Sequence, residues 1–112
     1  MHGQLSTHVL NIATGRPAAG VTIKLWRLED KETLYLKTVV TNVDGRTDQP
    51  LLAPAEMIAG TYELVFEVGA YFGSEYTFLS EVPVRFRIIS IEERYHVPLL
   101  VSPWAYSIYR GS

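Results

Sequence analysis

Cysteine is absent from the 112 residues. That excludes a disulfide framework, a thiolate nucleophile and a Cys-ligated zinc, so nothing in the chain requires an oxidising compartment. Charge excess is missing too: ten Lys and Arg against twelve Asp and Glu leave −2, with no basic block. Nucleic acid and anionic membranes are therefore not expected partners. No apolar run approaches the roughly 20 residues that cross a bilayer. The start, "MHGQLSTHVLN", lacks a basic region followed by an apolar run. No secretory signal is expected, and a cytoplasmic location fits, or a periplasmic one if an export segment was removed.

Motifs are also scarce. There is no P-loop, GxGxxG, HExxH, GxSxG or EF-hand pattern, which removes most nucleotide, protease and esterase readings. His2 and His8 lie six apart, which does not set them side by side on a strand, and no carboxylate cluster joins them. Neither metal nor cofactor is expected, because a metal needs two to four converging ligands.

What is present is β-rich. Hydrophobic residues make up 47% and charged residues 20%, ordinary for one globular domain spanning 1–112. Alternation and turn residues predict strands at 5–13, 21–28, 33–42, 61–68, 82–90, 95–101 and 106–111. Turns fall at "TGRPAAG" (14–20), "EDKE" (29–32), "VDGR" (43–46), "IEER" (91–94) and "SPWA" (102–105). Residues 47–60 read as a loop with at most one short strand, and 69–81 is the ambiguous stretch that holds any helix. Seven or eight short strands indicate an all-β, two-sheet antiparallel sandwich. The strands at 5–12 and 95–109 are apolar on both faces, whereas a solvated sheet face would alternate. This predicts a homo-oligomer joined through that sheet.

The candidates for chemistry are His2, His8 and His96, the arginines, and the Ser and Tyr hydroxyls. His8 shares strand parity with Ser6, Leu10 and Ile12, and His96 with Pro98, Leu100 and Ser102. Each alone reads most simply as a half-buried histidine satisfied by a backbone carbonyl. Two on different strands of an apolar sandwich make that reading less comfortable, since each needs its own compensation. Arg46 follows Asp-Gly and reads blandly as a solvated turn arginine. His2 belongs to an N-terminus, and "YRGS" (109–112) to a C-terminus, where chains fray unless held. From the residues alone, a cofactor-free histidine hydrolase and a ligand-binding sandwich both remain open.

Three stretches carry a resemblance. "LSTHVLNIATGRPAAGV" (5–21), "TNVDGRT" (41–47) and "YHVPLLVSPWAYSIYRGS" (95–112) resemble the opening strand, arginine turn and closing signature of the transthyretin-like family, in its enzymatic branch of 5-hydroxyisourate hydrolases. The resemblance implies a transthyretin-type sandwich with one short helix, placed within 69–76. It also implies a homotetramer, a dimer of dimers with sites in the channel between dimers. The implied reaction opens 5-hydroxyisourate, the product of urate oxidation, to 2-oxo-4-hydroxy-4-carboxy-5-ureidoimidazoline. Carried over by position, the implied catalytic residues are His8, His96, Arg46 and Ser112. Those implied to hold the small purine-derived substrate are His8, Arg46, Tyr109, Arg110 and Ser112. Imidazole suits metal-free activation of water, with His8 preferred as base and His96 orienting water or shuttling the proton. Arg46 would face the oxygens where negative charge develops. Ile108 departs from the small polar residue expected there, but its opposite parity to Tyr109 sends it to the interior. The rival reading is a transthyretin-like carrier that binds a small aromatic ligand without reacting. A carrier needs an apolar channel with few titratable groups, and His8, Arg46, His96 and YRGS together argue against it.

Overall fold

The structure, a computed structural model, describes residues 3–73, 75 and 77–112. Eight strands run in chain order: β1 (Gln4–Asn11), β2 (Arg16–Pro17), β3 (Thr22–Leu28), β4 (Thr33–Val40), β5 (Gly60–Phe66), β6 (Val82–Ile88), β7 (Arg94–Val101) and β8 (Tyr106–Ile108). They form two four-stranded sheets, ordered β2-β1-β7-β8 and β4-β3-β5-β6. This is the expected two-sheet sandwich.

Alternation decides which side of each strand faces inward. On β1, Leu5, Thr7 and Val9 are buried while Gln4, Ser6, His8 and Leu10 are half-exposed. On β5, Tyr62, Leu64 and Phe66 are fully buried. With Ile23 and Leu25 from β3, Val82 and Ile88 from β6, and Val97 and Leu99 from β7, they make one continuous core between the sheets. Each such side chain contributes about 1.5–3 kcal/mol by leaving water. Ile108 pairs with Leu99 and packs against this core, as its parity requires.

Two features differ from the sequence expectation. Among the described residues every strand pair is antiparallel except β1–β7, which is parallel over its full length, from Gln4↔Arg94 to Asn11↔Val101. A parallel pair needs a long crossover. Here the whole opposite sheet lies between the two strands in the chain, so no local signal could set their direction. The second difference is β2, which lies inside the predicted turn 14–20. It holds Pro17 opposite Leu10, and two residues are too few to show a period.

The helix, α1 (Val68–Phe72), ends at Gly73 with φ 64. It begins one residue before the expected 69–76 window; Ser74 and Tyr76 in that window, like His2, lie outside the described residues. A 3₁₀ turn at Pro54–Glu56 and a bridge between Leu5 and Leu52 organise the long loop. The C-terminus is not loose: Gly111 forms a bridge with His96, its N–H donating to the His96 carbonyl at 2.7 Å. Among the described residues, no helix is long and apolar enough to cross a membrane.

Candidate active site

The parallel register creates the site. It sets Ser6 opposite His96 and His8 opposite Pro98, so both imidazoles emerge on the outer face of the β1–β7 sheet. Their neighbours of opposite parity, Thr7 and Val97, point into the core, where Thr7 Oγ1 donates to the Val97 carbonyl at 2.7 Å. That bond fixes the register that the two histidines depend on. A one-residue slip would send both rings to the wrong face.

Arg46 is delivered by a turn built around Asn42. The Asn42 Oδ1 accepts from the N–H groups of Asp44 at 2.9 Å and Arg46 at 3.2 Å, an Asx-type turn. The Gly45 N–H donates to the Asn42 carbonyl at 2.9 Å, and the Asn42 N–H to that of Arg46 at 2.7 Å. The turn docks on β1 through the Val9 N–H, which donates to the Gly45 carbonyl at 2.8 Å. Gly45 has φ 74, and a Cβ there would lie 2.4 Å from the Val9 carbonyl oxygen. Gly45→Ala should therefore incur at least about 1–2 kcal/mol of backbone strain, plus a clash with immovable backbone. A lowered denaturation midpoint in urea is expected; an unchanged midpoint would show that the turn does not need glycine.

The three groups act on one another electrostatically. Burial lowers the His8 pKa below the ordinary imidazole range, and the Arg46 charge pushes the same way; the Asp44 backbone, as hydrogen-bond acceptor, and its carboxylate oppose. For His96, burial again comes first, followed by the charges of Arg46 and His8, all lowering. Both rings are thus biased to the neutral form, in which a nitrogen lone pair is free to take a proton. Beside Ser6 and Arg46, a cleft of about 180 Å³ opens, flanked by Gln4, Asp48 and Gln49. A larger depression of about 790 Å³ lies among residues 28–32, Gly60 and Thr61 and includes none of the candidate residues.

The predicted set is only partly assembled in the single chain. His8, His96 and Arg46 converge. Ser112 follows Gly111, which is bridged to His96, so the chain brings it to the same neighbourhood. Tyr109 is exposed and borders an apolar groove with Val84, Phe86 and Ile108 at the β6–β8 edge. Arg110 is engaged elsewhere: its guanidinium donates to Glu93 Oε1 and the Arg94 carbonyl, both at 3.0 Å, and sits 4.4 Å over the Tyr95 ring. It clamps the terminal segment to the start of β7, away from the imidazoles. Sequence reasoning gave no role of their own to Asn42, Ser6 or Gly111; the "TNVDGR" turn signal covered Asn42 and "YRGS" covered Gly111, but not the contacts they make.

A protein-family model described as HIUase/Transthyretin family matches residues 5–111. The chain belongs to that family. The 5-hydroxyisourate hydrolase of Halalkalibacterium halodurans is 50% identical, covering 100% of each chain. Among solved structures, the Klebsiella pneumoniae 5-hydroxyisourate hydrolase is 38% identical, with TM-score 0.79 over 98% of this chain and 94% of that one. Sea bream transthyretin in complex with thyroxine is 26% identical, with TM-score 0.87 over 96% and 94%. The family fold thus serves both a hydrolase and a protein that holds an aromatic ligand, and the full-length identity to 5-hydroxyisourate hydrolases makes this chain an enzyme of that kind.

Proposed function

We propose that this member of the HIUase/Transthyretin family hydrolyses 5-hydroxyisourate. The observation that carries the reading is the convergence of two imidazoles biased to neutrality and one guanidinium on a single sheet face. The identity to the hydrolase branch supports the substrate. A channel for passive binding has no use for such a set.

His8 is the better general base. The Asp44 backbone, as a hydrogen-bond acceptor, favours the protonated form of His8, and while the ring is neutral one nitrogen keeps its lone pair. When His8 takes the proton from water, the Asp44 carbonyl and carboxylate stabilise the imidazolium; His96 has only opposing influences. The water oxygen then bonds to a ring carbonyl carbon, and the negative charge developing on the carbonyl oxygen faces Arg46. Collapse breaks the ring C–N bond, and a proton passes to the leaving nitrogen. The product carries a carboxylate and a ureido group, as in 2-oxo-4-hydroxy-4-carboxy-5-ureidoimidazoline. Ser112 and Tyr109 would reach the substrate from the terminal segment. No cofactor or metal enters this scheme.

The outer face also carries Leu10 and Leu100, half-buried, and Ile12, which is 51% exposed. A second sheet face laid over it would cover these and shut water from the imidazoles. This supports a tetramer, a dimer of dimers with sites between dimers. Light scattering should return four copies; a monomer at full activity would contradict it.

With ¹³C-labelled 5-hydroxyisourate made in situ by urate oxidase, the carbon spectrum should show the ring-opened carboxylate product ahead of spontaneous decay. Substrate that persists beside the protein as long as in buffer would favour a carrier and overturn the reading. The pH profile supplies a further check. Because both histidine pKa values are lowered, kcat/KM should stay level from pH 8 down to about 6.5, the ordinary imidazole value, and fall only below it. A decline that begins above pH 7 would contradict the direction of both shifts.

A further inference from the structure

The Ser6 Oγ lies 2.8 Å from His96 Nδ1, across the β1–β7 register that sets these residues opposite each other. On the other side of the ring, Gly111 packs so closely that a Cβ there would stand 2.7 Å from His96 Cδ2. The two ring atoms next to Cγ are therefore both held, one by a hydroxyl and one by a backbone. The outermost atoms, Cε1 and Nε2, remain for whatever occupies the face. Ser6 also borders the cleft that Arg46 lines.

We propose that Ser6 is a positioning residue that fixes both the orientation and the tautomer of His96, with the ring proton on Nε2. This rests on the hydrolase reading above. A hydroxyl has one donor and two acceptor lone pairs. A neutral histidine ordinarily favours the Nε2–H tautomer, and Ser6 Oγ–H donating to Nδ1 reinforces that choice. His96 then presents a donor to the site, complementary to His8, which presents a lone pair. If the ring is protonated at low pH, the hydroxyl rotates and accepts from Nδ1–H. A carboxylate in that place would hold the ring charged, whereas a hydroxyl serves either state at little cost. The scheme needs one group that takes a proton from water and returns it to the departing nitrogen, which His8 does, and a fixed donor beside it, which the Nε2–H of His96 supplies without giving up its proton.

The test combines ring ¹⁵N chemical shifts with kinetics, on wild type, Ser6→Ala and Ser6→Thr, with His96→Gln assigning the resonances. In wild type at neutral pH, His96 should show a protonated Nε2 and a bare Nδ1. In Ser6→Ala the two shifts should move toward each other as the tautomers mix. The kcat should fall about five- to tenfold, the equivalent of one hydrogen bond, with KM within twofold. Ser6→Thr should restore both readouts, because the hydroxyl returns on a β-branched residue suited to a strand. A wild-type ring protonated on Nδ1, or Ser6→Ala with unchanged shifts or unchanged kcat, overturns the proposal while leaving the hydrolase reading in place. If wild type fails to hydrolyse 5-hydroxyisourate, that reading falls, and the ring shifts still decide whether Ser6 locks His96.

Discussion

His8→Ala should lower kcat by about 10²-fold or more, the usual contribution of a positioned general base. Its stability should stay within about 0.5 kcal/mol of wild type. The two expectations separate because His8 stands on the outward parity of β1 while Leu5, Thr7 and Val9 carry the core side. Removing the ring opens no cavity between the sheets. It also relieves His96 of one of the influences that lower its pKa. Steady-state rates paired with thermal melts decide the matter. A variant within about threefold of wild-type kcat would assign the base to His96 or to none of these groups.

Arg46→Ala should lower kcat/KM by about 10²- to 10³-fold, the loss typical of removing one donor to a developing oxyanion. It has a second signature that a structural arginine would lack. Arg46 lowers the pKa of both histidines, so its removal should move the acid limb of the rate profile to higher pH. Arg46→Lys separates the two effects. It keeps the positive charge, so the acid limb should remain low, but it loses the planar fork that reaches two oxygens, so the rate should still fall. Equal rates for lysine and arginine would mean that charge alone suffices and that geometry at this position matters little.

Strand positions and inward faces were legible in the sequence wherever alternation ran for several residues. Tyr62, Leu64 and Phe66 read as one buried face because Glu63 falls between them, and the structure buries all three. β2 was not legible, because Arg16 and Pro17 form too short a strand to show a period. The direction of the β1–β7 pair could not be read either. Hairpin turns announce antiparallel neighbours locally, but nothing in the chain between Asn11 and Arg94 reports how those two strands will meet.

The same distinction governs the site. His8, Arg46 and His96 entered as candidates through residue type and resemblance, and the structure brings them within electrostatic reach. Ser6 was read only as a parity neighbour of His8 and Gly111 only as part of "YRGS", because their contacts with His96 depend on strand pairing. Arg110 has a second role that the sequence did not announce. The resemblance offered it as a substrate contact, and in the folded chain Glu93 and the Tyr95 ring hold its guanidinium. That capture helps explain why the terminus is ordered: Arg110 anchors one residue and the Gly111–His96 bridge the next.

The measurement that bears most directly on the central claim is the rate at which 5-hydroxyisourate loses its ultraviolet absorbance in the presence of this chain. The trio of His8, His96 and Arg46 predicts decay far faster than in buffer, proportional to protein concentration and abolished in the His8→Ala, Arg46→Ala double variant. Decay at the spontaneous rate with folded wild-type protein would contradict the account.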